Sequence, residues 1–131
     1  MSPPRIGAPV ELALRVIPVL LYLVFTWMIS ATPGDRIPAG FDDRIAHFGE
    51  YALLAFLMVF AMTRFDPART TARPLVSAAL LSAAWGVVDE WHQSWIPGRD
   101  SSLKDLGFDA LGAVAACAVV GLLAARERRS P

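Results

Sequence analysis

The chain has 131 residues, 55% of them hydrophobic and only 18% charged, with a mean hydropathy of +0.46 and a formal net charge of zero. An ordinary soluble helical domain repeats charge every turn along its polar faces, and that recurrence is missing here. The composition excludes that class and reads as a single integral membrane domain over 1–131.

Four segments approach the roughly 20 helical residues that cross about 30 Å of hydrocarbon. The first covers about 12–31, with Pro18 as a candidate kink and Trp27 as an interfacial anchor. Its end, Ile29-Ser30-Ala31, also allows a cleaved signal peptide. The apolar run is long for a signal core and Glu11 stands where a signal is basic, so a retained span is the expectation. The second segment covers about 45–63. The third covers about 74–88 and reaches spanning length only by continuing through Glu90 to Gln93, with Pro74 at its start where a missing N–H does no harm. The fourth covers about 103–125. Only helices satisfy their own backbone in lipid, so the expected fold is an all-α membrane bundle of about four transmembrane helices. Ala78, Ser82 and Gly86 on the third segment, and Ala113, Cys117 and Gly121 on the fourth, form rows of small residues at four-residue spacing. Such rows let helix backbones approach closely, and Cys117 reads as inert filler within one of them.

Basic residues predict the orientation. The N-terminus, middle loop and C-terminus carry Arg5, Arg15, Arg64, Arg69, Arg73, Arg126, Arg128 and Arg129, against Arg36, Arg44, Arg99 and Lys104 on the other side. That excess predicts both termini in the cytoplasm of a bacterial inner (plasma) membrane. The acids sort the opposite way, with Asp35, Asp42, Asp43, Glu50, Asp89, Glu90, Asp100, Asp105 and Asp109 outside, so the zero net charge hides a basic inner face and an acidic outer one. The tail Arg126-Glu127-Arg128-Arg129 reads as a stop signal beside anionic lipid, too short a basic run to indicate nucleic acid.

The densest polar stretch is 89–100, which sets acids, His92, Gln93 and Arg99 between two apolar spans. Charge near hydrocarbon is costly unless it is paired or faces water, so this is a site by default. Helical spacing gathers more of the same chemistry. Asp43, His47 and then Glu50 or Tyr51 share one face of the second span, Asp89, Glu90, His92 and Gln93 close the third, and Asp105 and Asp109 open the fourth. All three ends lie on one side, and a bundle can aim them at one cavity. Trp91 and Trp95 read as interfacial anchors, and Pro97-Gly98 as a tight turn.

The pattern Asp43-Arg44-x-x-His47-Phe48-x-x-Tyr51, then Asp89-Glu90-x-His92-Gln93-x-x-x-Pro97-Gly98-Arg99-x-x-Ser102-x-x-Asp105, then Gly112, resembles the VanZ-like family of small bacterial membrane proteins over about 43–121. That family takes its name from a protein associated with teicoplanin resistance. The resemblance implies a multi-pass protein of the cell envelope with a link to antibiotic resistance. Arg44 stands where Lys is frequent in the family, and Asp109 where Asn is expected in many relatives. The extra acid argues against a role at 109 that needs a neutral amide.

The chemistry these residues offer is specific in type. His47, Glu90, Asp105 and Asp109 supply the nitrogen and oxygen ligands that zinc, manganese or magnesium accept, and His47, Glu90 and Asp105 are the candidates for catalysis. Arg99 can clamp a phosphate in two-point fashion. With Asp43, Tyr51, Asp89, His92, Gln93, Arg99 and Asp109 as binding residues, the set suits metal-assisted hydrolysis or transfer at a lipid-linked phosphate or cell-wall precursor. The spacing fits no established metal motif, and there is no Gly-rich phosphate loop, nucleophile elbow or paired-Cys motif. One alternative is a non-catalytic protein that binds an amphiphile and gives tolerance to a lipoglycopeptide antibiotic. Another is a structural protein whose polar residues only pin the helices. Proton transport would need an oligomer and would depend on Glu50.

Overall fold

The computed structural model describes residues 7–40 and 42–130, so Arg5, counted above toward the orientation, lies outside them. All regular structure among the described residues is helical: α1 (Ala8–Ser30), a short 3-10 turn (Gly34–Arg36), α2 (Asp43–Thr63), α3 (Ala72–Gln93) and α4 (Leu103–Glu127). Helices α1, α2 and α4 are long and apolar enough to cross a membrane. The 22 residues of α3 span about 33 Å, long enough to cross as well, but with less apolarity. The shortfall comes from its small residues and from the last turn, where the helix runs on to Gln93 and so takes in Asp89, Glu90 and His92.

Local chemistry sets the ends. Asp42 caps α2 by accepting a hydrogen bond from the Arg44 N–H at 3.1 Å. The same helix stops where Arg64 and Phe65 turn left-handed, at φ 57° and 56°, and Phe65 folds back onto Phe56 and Phe60. Pro18 lies inside an α1 that runs unbroken from Ala8 to Ser30.

The most extensive packing joins α2 to α4, with α3 against both and α1 applied to α2 and, more lightly, to α3. Small residues make the central contact. A Cβ on Gly112 would lie 2.2 Å from the Phe48 carbonyl oxygen, so only glycine lets α4 approach α2 that closely. Ala78, Ser82 and Gly86 are all buried, and the Ser82 hydroxyl donates to the Tyr51 carbonyl at 3.2 Å. The core gathers Tyr51, Leu54, Ala55, Met58 and Val59 of α2 with Ala78, Ala113, Cys117 and Val120. Outward-facing leucines and valines such as Leu21, Val24, Leu80 and Leu122 stay exposed, as suits helices solvated by lipid.

Polar contacts attach α1. Tyr22 donates to the Glu50 carbonyl at 3.2 Å and the Trp85 indole to Thr26 at 3.1 Å. Ser30 shares a hydrogen bond with His92 Nδ1 at 3.0 Å, and Trp27 stacks on that imidazole at 3.7 Å. At the opposite end of α1, Glu11 pairs with Arg15 and Arg64.

Candidate functional site

The first two turns of α2 carry Asp43, His47 and Glu50, the last turn of α3 carries Asp89, Glu90 and Gln93, and α4 contributes Asp109 in its second turn. His47 is the centre of the group and is almost entirely buried. Its Nδ1 lies 2.8 Å from Oδ1 of the fully buried Asp109. A carboxylate only accepts, so Nδ1–H donates, and Nε2 on the far edge carries a lone pair in the neutral imidazole and a second N–H in the imidazolium. Gly86 makes room for this pair, because a Cβ there would lie 2.7 Å from Asp109 Oδ2. On the other edge of the ring, Nε2 stands 3.9 Å from Glu90 Oε1 and 4.0 Å from Asp43 Oδ2. The second Glu90 oxygen accepts the Ser102 backbone N–H at 2.8 Å, which ties the end of α3 to the start of α4.

A chain of side chains continues from there. Arg99, its side chain only 8% exposed, pairs with Asp43 at 3.5 Å and donates to Gln93 Oε1 at 2.6 Å. Gln93 in turn donates to Asp89 at 2.9 Å. Both Arg99 contacts leave from Nη2, so the rest of the guanidinium fork is available to a ligand. The loop that presents Arg99 is clamped: Gly34 N–H donates to the Pro97 carbonyl at 3.0 Å, and Gly98 turns at φ +73°. A Cβ on Gly34 would overlap the Gly98 carbonyl outright, at 1.7 Å.

Beside His47 lies a cavity of about 220 Å³. Ile29, Ile37 and Pro38 form an apolar wall, and Arg36, Asp43, His47, Glu50, Gln93 and Arg99 a polar one. Asp43 and Arg99 also border a wider, open bowl of about 650 Å³ that includes Arg44, Asp100, Ser102 and Asp105. Their ion pair therefore stands between the inner cavity and the outer bowl.

Of the residues singled out by sequence, the fold brings His47, Glu90 and Asp109 together, with one potential ligand atom from each lying within 4.8 Å of the others. Asp43, Gln93, Arg99 and Asp89 join them through the contacts above. Asp105 takes a different place. Ser102 accepts from its N–H at 3.1 Å and donates to its Oδ2 at 2.7 Å, a cap at the start of α4. His92 faces α1, engaged by Ser30 and Trp27. Tyr51 is fully buried behind the imidazole, its ring parallel to that of His47 at 6.3 Å, and its hydroxyl faces Asp89 without reaching hydrogen-bond geometry.

Sequence reasoning did not assign roles to Ser102, Gly86 or Arg36. Ser102 had a signal, since Ser-x-x-Asp at the head of an apolar run is a helix-start signature. Gly86 was legible only as a packing residue, and Arg36 had no local signal.

A family model described as VanZ/LLP1 matches residues 31–124, more than half of the chain. The chain belongs to the VanZ/LLP1 family. The VanZ/LLP1 match begins just after α1 and contains the whole His47 cluster, so the family region spans α2 to α4 while α1 supplies a wall of the cavity from outside it. No curated protein and no solved structure matches the chain.

Proposed function

We propose that this membrane protein acts on an amphiphilic cell-envelope molecule, a lipid-linked phosphate or cell-wall precursor, whose headgroup enters the His47 cavity from the extracytoplasmic side. The reading rests above all on one arrangement: a buried imidazole, oriented at Nδ1 by Asp109, with Nε2 turned toward Glu90 and Asp43 beside a cavity edged by Arg99. A histidine fixed in one tautomer by a carboxylate is suited to moving a proton. The mixed walls of the cavity match a molecule that is polar at one end and apolar at the other.

In hydrolysis, water would attack phosphorus and give its proton to His47 Nε2. The new P–O bond forms as the bond to the leaving oxygen breaks, and the proton passes from Nε2 to that oxygen. Arg99, joined by Arg36, holds the phosphate oxygens through the free part of its fork. A purely structural role accounts for Gln93, which bonds one oxygen of Asp89, and for Ser102 and Asp105, which bond each other. It does not account for Glu90 Oε1, Asp109 Oδ2 and the second oxygen of Asp89, all buried without a hydrogen-bond partner among the described residues.

The test is phosphate release from a prenyl diphosphate by detergent-purified protein, wild type beside His47→Ala. Loss of a general base predicts a rate lower by about 100-fold or more. Equal binding of the prenyl diphosphate by both proteins with no release would shift the assignment to a non-catalytic binding protein, and absence of binding would overturn the phosphate-amphiphile reading.

A further inference from the structure

We infer that the gap between His47 and Glu90 is a seat for one divalent cation of the zinc or manganese class, an inference that takes the His47 cavity as the functional site. Three carboxylates are buried at this end of the bundle, Asp89, Glu90 and Asp109, at 1%, 8% and 0% exposure, the last two beside the imidazole. Against them stand the guanidinium of Arg99, already shared between Asp43 and Gln93, the more exposed Arg36 on the cavity wall, and the imidazole when it is protonated. Positive charge is short in a medium where an ionised carboxylate without a counter-charge is very costly.

The shortage is localised on particular atoms. Glu90 Oε1, Asp109 Oδ2 and Asp89 Oδ1 are buried without a hydrogen-bond partner among the described residues; Asp109 Oδ2 lies against Gly86, and Glu90 Oε1, on an acid more than nine-tenths buried, is the one that faces His47 Nε2. The neutral imidazole offers its Nε2 lone pair to the gap beside Glu90 Oε1, 3.9 Å away. With that lone pair on the ion, the proton of the attacking water would pass to a carboxylate lining the cavity, Asp43 or Glu50, in place of the imidazole, and on to the leaving oxygen. Ligand atoms around a tetrahedral zinc with bonds of about 2.1 Å lie roughly 3.4 Å apart, so the two groups need close by only about half an ångström.

The surroundings suit this seat. Asp109 behind Nδ1 forms the carboxylate–histidine pairing that orients a ligating imidazole, and the Ser102 N–H fixes the far oxygen of Glu90. Asp43 Oδ2, 4.0 Å from the same nitrogen and partly exposed, is a further carboxylate on the cavity side. The remaining positions would open to the cavity, where a phosphate oxygen could meet the ion and be spared the repulsion of the acids. An imidazole with few carboxylates favours zinc or manganese over calcium, which takes six to eight oxygens at its sites.

The experiment loads the detergent-purified full chain with Zn²⁺ or Mn²⁺, removes free ion, and measures metal per chain together with the shift in Tm on loading. The expected result is one equivalent and a raised Tm for wild type and for Asp35→Asn, an exposed acid outside the cluster. His47→Ala and Glu90→Gln should lose both, and Asp109→Asn should bind about 10–100-fold more weakly. Gln at 90 still offers an oxygen to the Ser102 N–H, so the variant separates metal loss from unfolding. Absence of stoichiometric metal in wild type, or equal metal and equal Tm shift in His47→Ala and Glu90→Gln, overturns the seat. Prenyl-diphosphate hydrolysis that needs His47 but survives full chelation also overturns it while leaving the function assignment standing. Stoichiometric metal that His47→Ala and Glu90→Gln lose, with no phosphate amphiphile bound or cleaved, supports the seat and overturns that assignment instead.

Discussion

At the scale of single residues, the His47–Asp109 hydrogen bond is the contact on which the site depends, and it is testable apart from activity. Asp109→Ala leaves a buried imidazole N–H without an acceptor, which costs about 1–3 kcal/mol and should show as a lower Tm in detergent. Asp109→Asn keeps an acceptor oxygen and should lose less. Gly86→Ala attacks the same bond from the α3 side, since the new methyl would lie 2.7 Å from Asp109 Oδ2. Overpacking of this kind costs about 1–3 kcal/mol, and the variant should unfold at a lower temperature than Ala83→Gly, a change on the same helix away from Asp109. The residues themselves were legible in the sequence as polar groups in an apolar chain. Their pairing was not, because His47 and Asp109 are 62 positions apart and helical spacing tells which residues share a face but not what that face meets.

At the scale of elements, the start of α4 shows how one residue can serve both helix and site. Ser102 caps the helix through its hydroxyl and holds Glu90 through its backbone N–H. Ser102→Ala removes the first function and keeps the second, so it should cost about 1 kcal/mol of stability in thermal unfolding while leaving Glu90 in place. The reading of Asp105 and Asp109 as an i, i+4 pair correctly put both near the head of α4. Asp105, one turn nearer the end, is taken up by the cap, and Asp109, one turn deeper, meets α2 and α3. The extension of α3 to Gln93 was legible from the length a membrane demands, and it carries Asp89, Glu90 and Gln93 to the site. His92 rides the same turn but points to α1, because two residues on from Glu90 is about 200° around the helix axis, nearly the opposite side.

At the scale of the whole molecule, the proposed topology puts both termini in the cytoplasm and the His47 cavity outside. Cys117 is buried in the core, so an introduced thiol can report the topology without strong background. In intact cells a membrane-impermeant maleimide should label Asp100→Cys readily and Ser130→Cys only after permeabilisation; the reverse pattern would invert the topology. The close α2–α4 contact sets the frame in which the site forms. Gly112→Ala would drive a methyl to within 2.2 Å of the Phe48 carbonyl, backbone against backbone, and should be among the most damaging small substitutions in the chain, read as loss of folded protein after detergent extraction.

Composition and periodicity by themselves determined that this is an all-α membrane protein and where its helices run, because the hydrocarbon slab imposes a length and an apolarity that a local window of sequence records. The family motif is also local in this sense, and the VanZ/LLP1 assignment follows it. Only the tertiary structure decided which acid orients His47, which one caps a helix, and which oxygens are left without partners. Those outcomes depend on the rotation of each helix about its axis and on glycines that set how near two backbones come, and both are properties of packed pairs of helices rather than of any one segment.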